Sequence, residues 1–123
     1  MTEHALIVGA GSGLSAAFAR RLKADGVAIS LAARDIGKLA GLAAELDAVT
    51  HLCDVADRAS VDALFAALDA AGRTPDIVLF NPSARVRGPF VELDPVAVEQ
   101  AVKVTAIGGF HVAQATVQRL LAK

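Results

Sequence analysis

Three glycines at every second position, Gly9, Gly11 and Gly13, stand between a short apolar run and an alanine-rich helical pattern in "LIVGAGSGLSAAFAR", residues 6–20. That context suits one piece of chemistry, the holding of a phosphate. Glycine permits a tight turn and close backbone approach, and the unpaired N–H groups that open a helix favour an anion. Ser12, beside Gly13, adds a hydroxyl donor for the same phosphates. Two glycine plans fit. "GSGLSA" satisfies G-x-G-x-x-A from Gly11, although Gly11 then stands late relative to the strand. Counting from Gly9 gives G-x-x-x-G-x-G through Gly13, with Ser15 in the place of the last glycine. Other reactive side chains are sparse. Cys53 is the one cysteine and reads as a small buried apolar residue, with no disulfide to form. His4 and His51 flank strands without cysteine or carboxylate partners at metal-ligand spacing, so no metal is expected. His111, alone on a helix, reads as packing or surface.

The elements that must position this loop follow from periodicity. A first strand covers residues 5–8. The first helix opens near Gly13, carries Leu14, Ala17, Phe18 and Leu22 on one face, and stops at Gly26. A second strand at 27–33 is apolar almost throughout, as a strand covered on both faces should be. Asp35 caps a helix with Leu39, Leu42 and Leu46, and Val49–Leu52 is a short third strand. Asp57 caps a helix with Val61, Leu64, Phe65 and Leu68 that ends by Gly72, before a fourth strand, Ile77–Phe80. Two prolines and a glycine make "NPSARVRGPFVEL" a loop. Asp94 and Pro95 then open an apolar helical pattern reaching almost to Lys123. Gly108 and Gly109 interrupt it, and a kink or close packing is expected there. Strands alternating with helices imply an α/β class with parallel strands joined by right-handed crossovers.

A chain of 123 residues fits one domain with a real core. No apolar run approaches the ~18 residues of a membrane span, so no membrane partner is expected. The opening "MTEH" carries an acid and no basic cluster, which places the protein in the cytoplasm. A net charge of −1 offers nothing to nucleic acid, so any phosphate must be held locally.

Later segments agree with the plan that starts at Gly9. Strand two ends in "LAARD", strand three leads into "CDVAD", strand four into "FNPSA", and "GPFVELDP" precedes the long helix. In order and spacing these resemble the N-terminal half of the short-chain dehydrogenases/reductases, over essentially the whole chain. The resemblance implies a Rossmann-like three-layer α/β/α fold whose parallel sheet has strand order 3-2-1-4, an incomplete doubly wound sheet, over residues 1–123. It implies a nicotinamide dinucleotide held at Gly9, Gly11, Ser12, Gly13 and Leu14. Asp54 matches the acid that bonds the adenine amino group, with Val55 beside the ring. Residues 80–83 match the family's Asn-Asn-Ala-Gly, of which Asn81 alone is retained; Asn81 and Ser83 fall where the cofactor ribose comes close. Ser15 is expected to shift the first helix slightly or to place a hydroxyl near the phosphates. Thr105 occupies the register of a helix asparagine that serves the family's catalytic water chain.

An NAD site commonly has an acid at the end of strand two for the ribose 2′-hydroxyl, whereas a 2′-phosphate needs a cation. Ala33 stands where the acid would sit and Arg34 follows it, which favours NADP(H) over NAD(H). The family's proton donor is a tyrosine four residues before a lysine, preceded by a serine, and the chain contains no tyrosine. The expectation is therefore the NADP(H)-binding part of an oxidoreductase acting on a small carbonyl or alcohol, with that serine, tyrosine and lysine beyond residue 123. A non-catalytic nucleotide-binding or interaction protein is the alternative, supported by Ser15, "FNPSA" and Thr105. The resemblance also implies a homodimer or homotetramer through the last helix. An apolar edge such as "IVLF" is an association hazard when left unpaired.

Overall fold

The computed structural model describes residues 2–123. Four strands, β1 (His4–Val8), β2 (Ala28–Ala33), β3 (Val49–Leu52) and β4 (Ile77–Phe80), form one parallel sheet in the order β3-β2-β1-β4. Ile7 of the central strand lies opposite Leu31 on one side and Leu79 on the other. The expected order is the observed one. β1 starts one residue earlier than its apolar run, because His4 pairs with Ala28 and its N–H donates to Asp76 Oδ2 at 2.9 Å. β2 starts one residue later, since Val27 N–H still closes the preceding turn on Leu22 O at 3.0 Å.

Alternation along β1 sends Leu6 and Val8 to one face and Ala5 and Ile7 to the other, and every one of them is buried. On the first face they meet Val61, Leu64, Phe65 and Leu68 of α3 (Arg58–Ala70) and Val112 of α5 (Gly108–Ala122). On the second, Ala5 and Ile7 pack with Ala19 of α1 (Leu14–Ala24) and Leu46 of α2 (Ala40–Leu46). α3 hides the stripe that its periodicity announced, but α1 does not: it lays Ser15, Ala16 and Ala19 on the sheet, whose small side chains allow close approach, and leaves Leu14, Ala17 and Phe18 of the expected face exposed.

The aspartate caps form where the sequence places them. Asp35 accepts from Gly37 N–H at 3.0 Å, Asp57 from Ala59 N–H at 3.1 Å, and Asp94 from Val96 N–H at 3.0 Å. The segment after Asp35 is not one helix: a tight 3₁₀ turn, Ile36–Leu39, precedes α2. A second 3₁₀ turn, Phe90–Glu92, lies inside the stretch read as loop. The long C-terminal pattern is α4 (Pro95–Val102), a π turn (Lys103–Ile107) and then α5. The irregularity thus falls just before Gly108 and Gly109, and the glycines themselves serve close packing. A Cβ on Gly108 would lie 2.6 Å from Val55 Cγ2, and one on Gly109 3.4 Å from the Phe80 ring. Arg119 fastens α5 to α3 by pairing with Asp69 at 2.9 Å while its guanidinium covers the Phe65 ring. That hydrogen-bonded pairing holds the Asp69 carboxyl below the usual carboxylate range. No helix among the described residues is long and apolar enough to cross a membrane.

Candidate functional site

The C-terminal ends of the four strands surround a cleft of about 370 Å³ at the point where the strand order reverses between β1 and β4. Open parallel sheets bind ligands in such crevices because the loops on either side turn away in opposite directions. Of the residues named from the sequence, Gly9, Arg34, Val55, Asn81 and Ser83 line this one cleft. Gly11 and Ser12 line an adjoining recess of about 200 Å³, and Lys38 lines both spaces. Gly13 is the residue that opens α1, and Leu14, its first helical residue, is largely exposed.

The glycines differ in what requires them. Gly9 has φ +78°, and a Cβ there would lie 2.4 Å from Pro82 N and 2.7 Å from Asn81 C, so the protein's own backbone excludes a side chain. The turn is held by Gly9 and Ala10 N–H groups donating to Ala32 O at 2.9 and 3.2 Å. At Gly11 and Gly13 a Cβ would meet nothing within 4 Å. Whereas Asp35, Asp57 and Asp94 cap the segments they precede, α1 opens on Gly13 with no side-chain cap and no acid in its first turn. Its free N–H groups are the unsatisfied donors that an anion would satisfy.

Ser15, which replaces the last glycine of the loop, turns its side chain inward. It is 2% exposed, and its hydroxyl points into the protein, donating to Gly9 O at 3.3 Å and accepting from Asn81 Nδ2 at 3.0 Å. A buried hydroxyl needs partners, and the interior supplies both.

Arg34 is exposed and has no ion pair among the described residues, while Ala33 before it is half-buried. Lys38, absent from the sequence reading of the site, stands 4.0 Å from Asp35 on the same lip. Its signal was a cation four residues after Arg34, in a segment assigned only to a helix. Cys53 and Val104 also line the cleft unforeseen; both are buried, and burial pushes the Cys53 thiol up, which suits a wall and not a nucleophile. Asp54 lies between the lining residues Cys53 and Val55, with Oδ1 accepting from Ala56 N–H at 3.1 Å. His111 packs against the same loop, its Nδ1 2.8 Å from Val55 O. Thr105 stands in the π turn, exposed, on a separate apolar groove of about 410 Å³ shared with Ala84, Val86 and Leu93. Among the described residues no three His, Cys, Asp or Glu side chains gather as metal ligands would.

The sheet order, the glycine turn and the crevice at the strand reversal meet one family's pattern, and the family profile for short chain dehydrogenases matches residues 3–123. The chain belongs to the short-chain dehydrogenase family. It is 29% identical over 128 residues to 3-dehydrosphinganine reductase TSC10A of Arabidopsis thaliana, covering 99% of this chain and 38% of that one. A single-residue variant of actinorhodin polyketide ketoreductase with NADPH superimposes with a TM-score of 0.88 at 28% identity, over 94% of this chain and 46% of the other. A metagenomic short-chain oxidoreductase in complex with NADP gives 0.91 at 24% identity, over 99% and 58%, a likeness of fold alone. The chain thus spans less than two thirds of each of these proteins.

Proposed function

We propose that this short-chain dehydrogenase chain binds NADP(H) and is the cofactor-binding part of an oxidoreductase that interconverts a carbonyl and an alcohol. The observation that carries the proposal is a pair of anion-ready features on neighbouring loops: the uncapped start of α1 and the unpaired Arg34 guanidinium at the end of β2. In this reading the backbone of Gly11, Gly13 and Leu14 and the Ser12 hydroxyl hold the pyrophosphate. Arg34 takes the 2′-phosphate, Asp54 and Val55 border the adenine, and Asn81 and Ser83 border the nicotinamide ribose. The donor set fits the group, since every cation and N–H it needs lies free of a protein partner or at the surface. Bound NADP(H) would supply the hydride; this chain's residues bind and orient it. Thr105 would hold a place in the proton path, its hydroxyl standing where the family has an asparagine.

Hydride transfer to a carbonyl also needs a proton donor at its oxygen, and the 123 residues contain no tyrosine. We therefore assign the serine, tyrosine and lysine of the family to residues outside this sequence, in line with the greater length of the relatives. A homodimer or homotetramer through the long helix belongs to the same reading, supported by the exposed Phe110, Val117 and Leu121. The test is a titration of the protein with NADPH and NADH, followed by Arg34→Ala. Losing a charge-assisted contact should weaken NADPH by about tenfold or more and leave NADH unchanged. Equal losses would refute the preference for NADP(H). Binding of neither dinucleotide would favour an interaction protein built on the same fold.

A further inference from the structure

A departure from the family pattern and a residue that keeps it meet in space. Ser15 replaces the last loop glycine, Asn81 is the sole survivor of its four-residue segment, and 66 positions apart in sequence they are hydrogen-bonded at 3.0 Å. Ser15 also reaches Gly9 O at 3.3 Å, and Asn81 N–H donates to Val8 O at 2.8 Å. The segment that leaves β4 is thereby joined by backbone to the end of β1 and through a buried hydroxyl to the turn that follows. Both segments are walls of the cleft. Arg34 and Val55, on the adenosine side, are untouched by these bonds.

We propose that Ser15 and Asn81 form a latch that sets the spacing between the glycine turn and the β4 exit, making Ser15 a positioning residue for the cofactor. A serine at this buried position would orphan its hydroxyl without a partner, a cost that the Asn81 amide and the Gly9 carbonyl remove together. Because Ser15 is 2% exposed, it acts on a ligand only through the loop it holds. The latch governs the pyrophosphate and nicotinamide side of the cleft and leaves the adenosine side alone. The proposal rests on the NADP(H) reading above.

The test compares two probes, NADPH and adenosine 2′,5′-bisphosphate, on the protein and on Ser15→Ala, Asn81→Ala and the double variant. Asn81 is exposed, so its replacement leaves the core intact if Ser15→Ala folds poorly. Each single variant should weaken NADPH by about three- to tenfold, the worth of one neutral hydrogen bond, and leave the bisphosphate unchanged. The double variant should be no weaker than the worse single one, as for two members of one interaction. Unchanged NADPH affinity in either single variant, equal losses for the two probes, or additive losses would overturn the latch. An unsubstituted protein that binds neither probe would instead overturn the cofactor reading, and the latch's role with it.

Discussion

Replacing Gly9 and Gly11 by alanine separates what the fold needs from what a ligand needs. At Gly9 the alanine must adopt φ +78°, which costs about 1–2 kcal/mol for a residue with a Cβ. Its Cβ would also fall 2.4 Å from Pro82 N and 2.7 Å from Asn81 C, and because both are backbone, relief requires moving the β4 exit. Overpacking of this kind adds about 1–3 kcal/mol. Gly9→Ala should therefore lose about 2–5 kcal/mol, a large share of the ~5–15 kcal/mol that a domain has in total. At Gly11 nothing lies within 4 Å of the added methyl, so Gly11→Ala should stay within about 0.5 kcal/mol of the parent in stability. If Gly11 serves the pyrophosphate, that variant should nonetheless bind NADPH more weakly. Urea midpoints measure the first effect and fluorescence titration the second. Gly9→Ala with parental stability would refute the steric argument, and Gly11→Ala with parental NADPH affinity would remove that glycine from the site.

Two further outcomes are expected. Gly108→Ala should destabilise the protein by about 1–2 kcal/mol despite alanine's better helix propensity, because χ1-stiff Val55 presents Cγ2 at 2.6 Å to the new methyl. In a Val55→Ala background, thermal melts should show most of that loss recovered; no recovery would mean that the Val55 side chain is not the obstacle. Burial, with Arg73 nearby, holds the His51 imidazole below its ordinary value, and its Nε2 has no hydrogen-bond partner among the described residues. Above the unfolded pKa of about 6.5 both states are neutral; as pH falls below it the unfolded chain takes up the proton first, so stability declines. Denaturation between about pH 7.5 and 5.5 should show a loss under about 1 kcal/mol, since solvent screens a half-buried ring, and His51→Gln should reduce it. An identical pH dependence in His51→Gln would contradict the assignment.

β1, β2 and β4 were legible because each is a short, largely apolar run bounded by turn residues, whereas β3, Val-Thr-His-Leu at the sheet edge, was marked mainly by its place between two helical patterns. The helix starts at Asp35, Asp57 and Asp94 were legible because a cap is a contact two residues long, written wholly in local sequence. The places of the glycine turn and of Arg34 on the cleft were legible for the same reason: each is a residue type at the end of a recognisable strand. The π turn at Lys103–Ile107 was not, and the sequence pointed to the glycines just after it. Where a long helix deviates depends on what packs against it, here Val55 and Phe80 from two other segments. Lys38, Cys53 and Val104 likewise entered the cleft wall by position in the fold and not by any motif.

Composition, periodicity and caps by themselves determined the order of elements, their α/β class and the glycine turn after the first strand, because those depend on neighbours within a few residues. Tertiary structure alone decided which glycine is sterically obligatory and where the serine hydroxyl points. Gly9 is confined by Pro82 and Ser15 is claimed by Asn81, partners more than 60 positions away that only the closed sheet brings within reach.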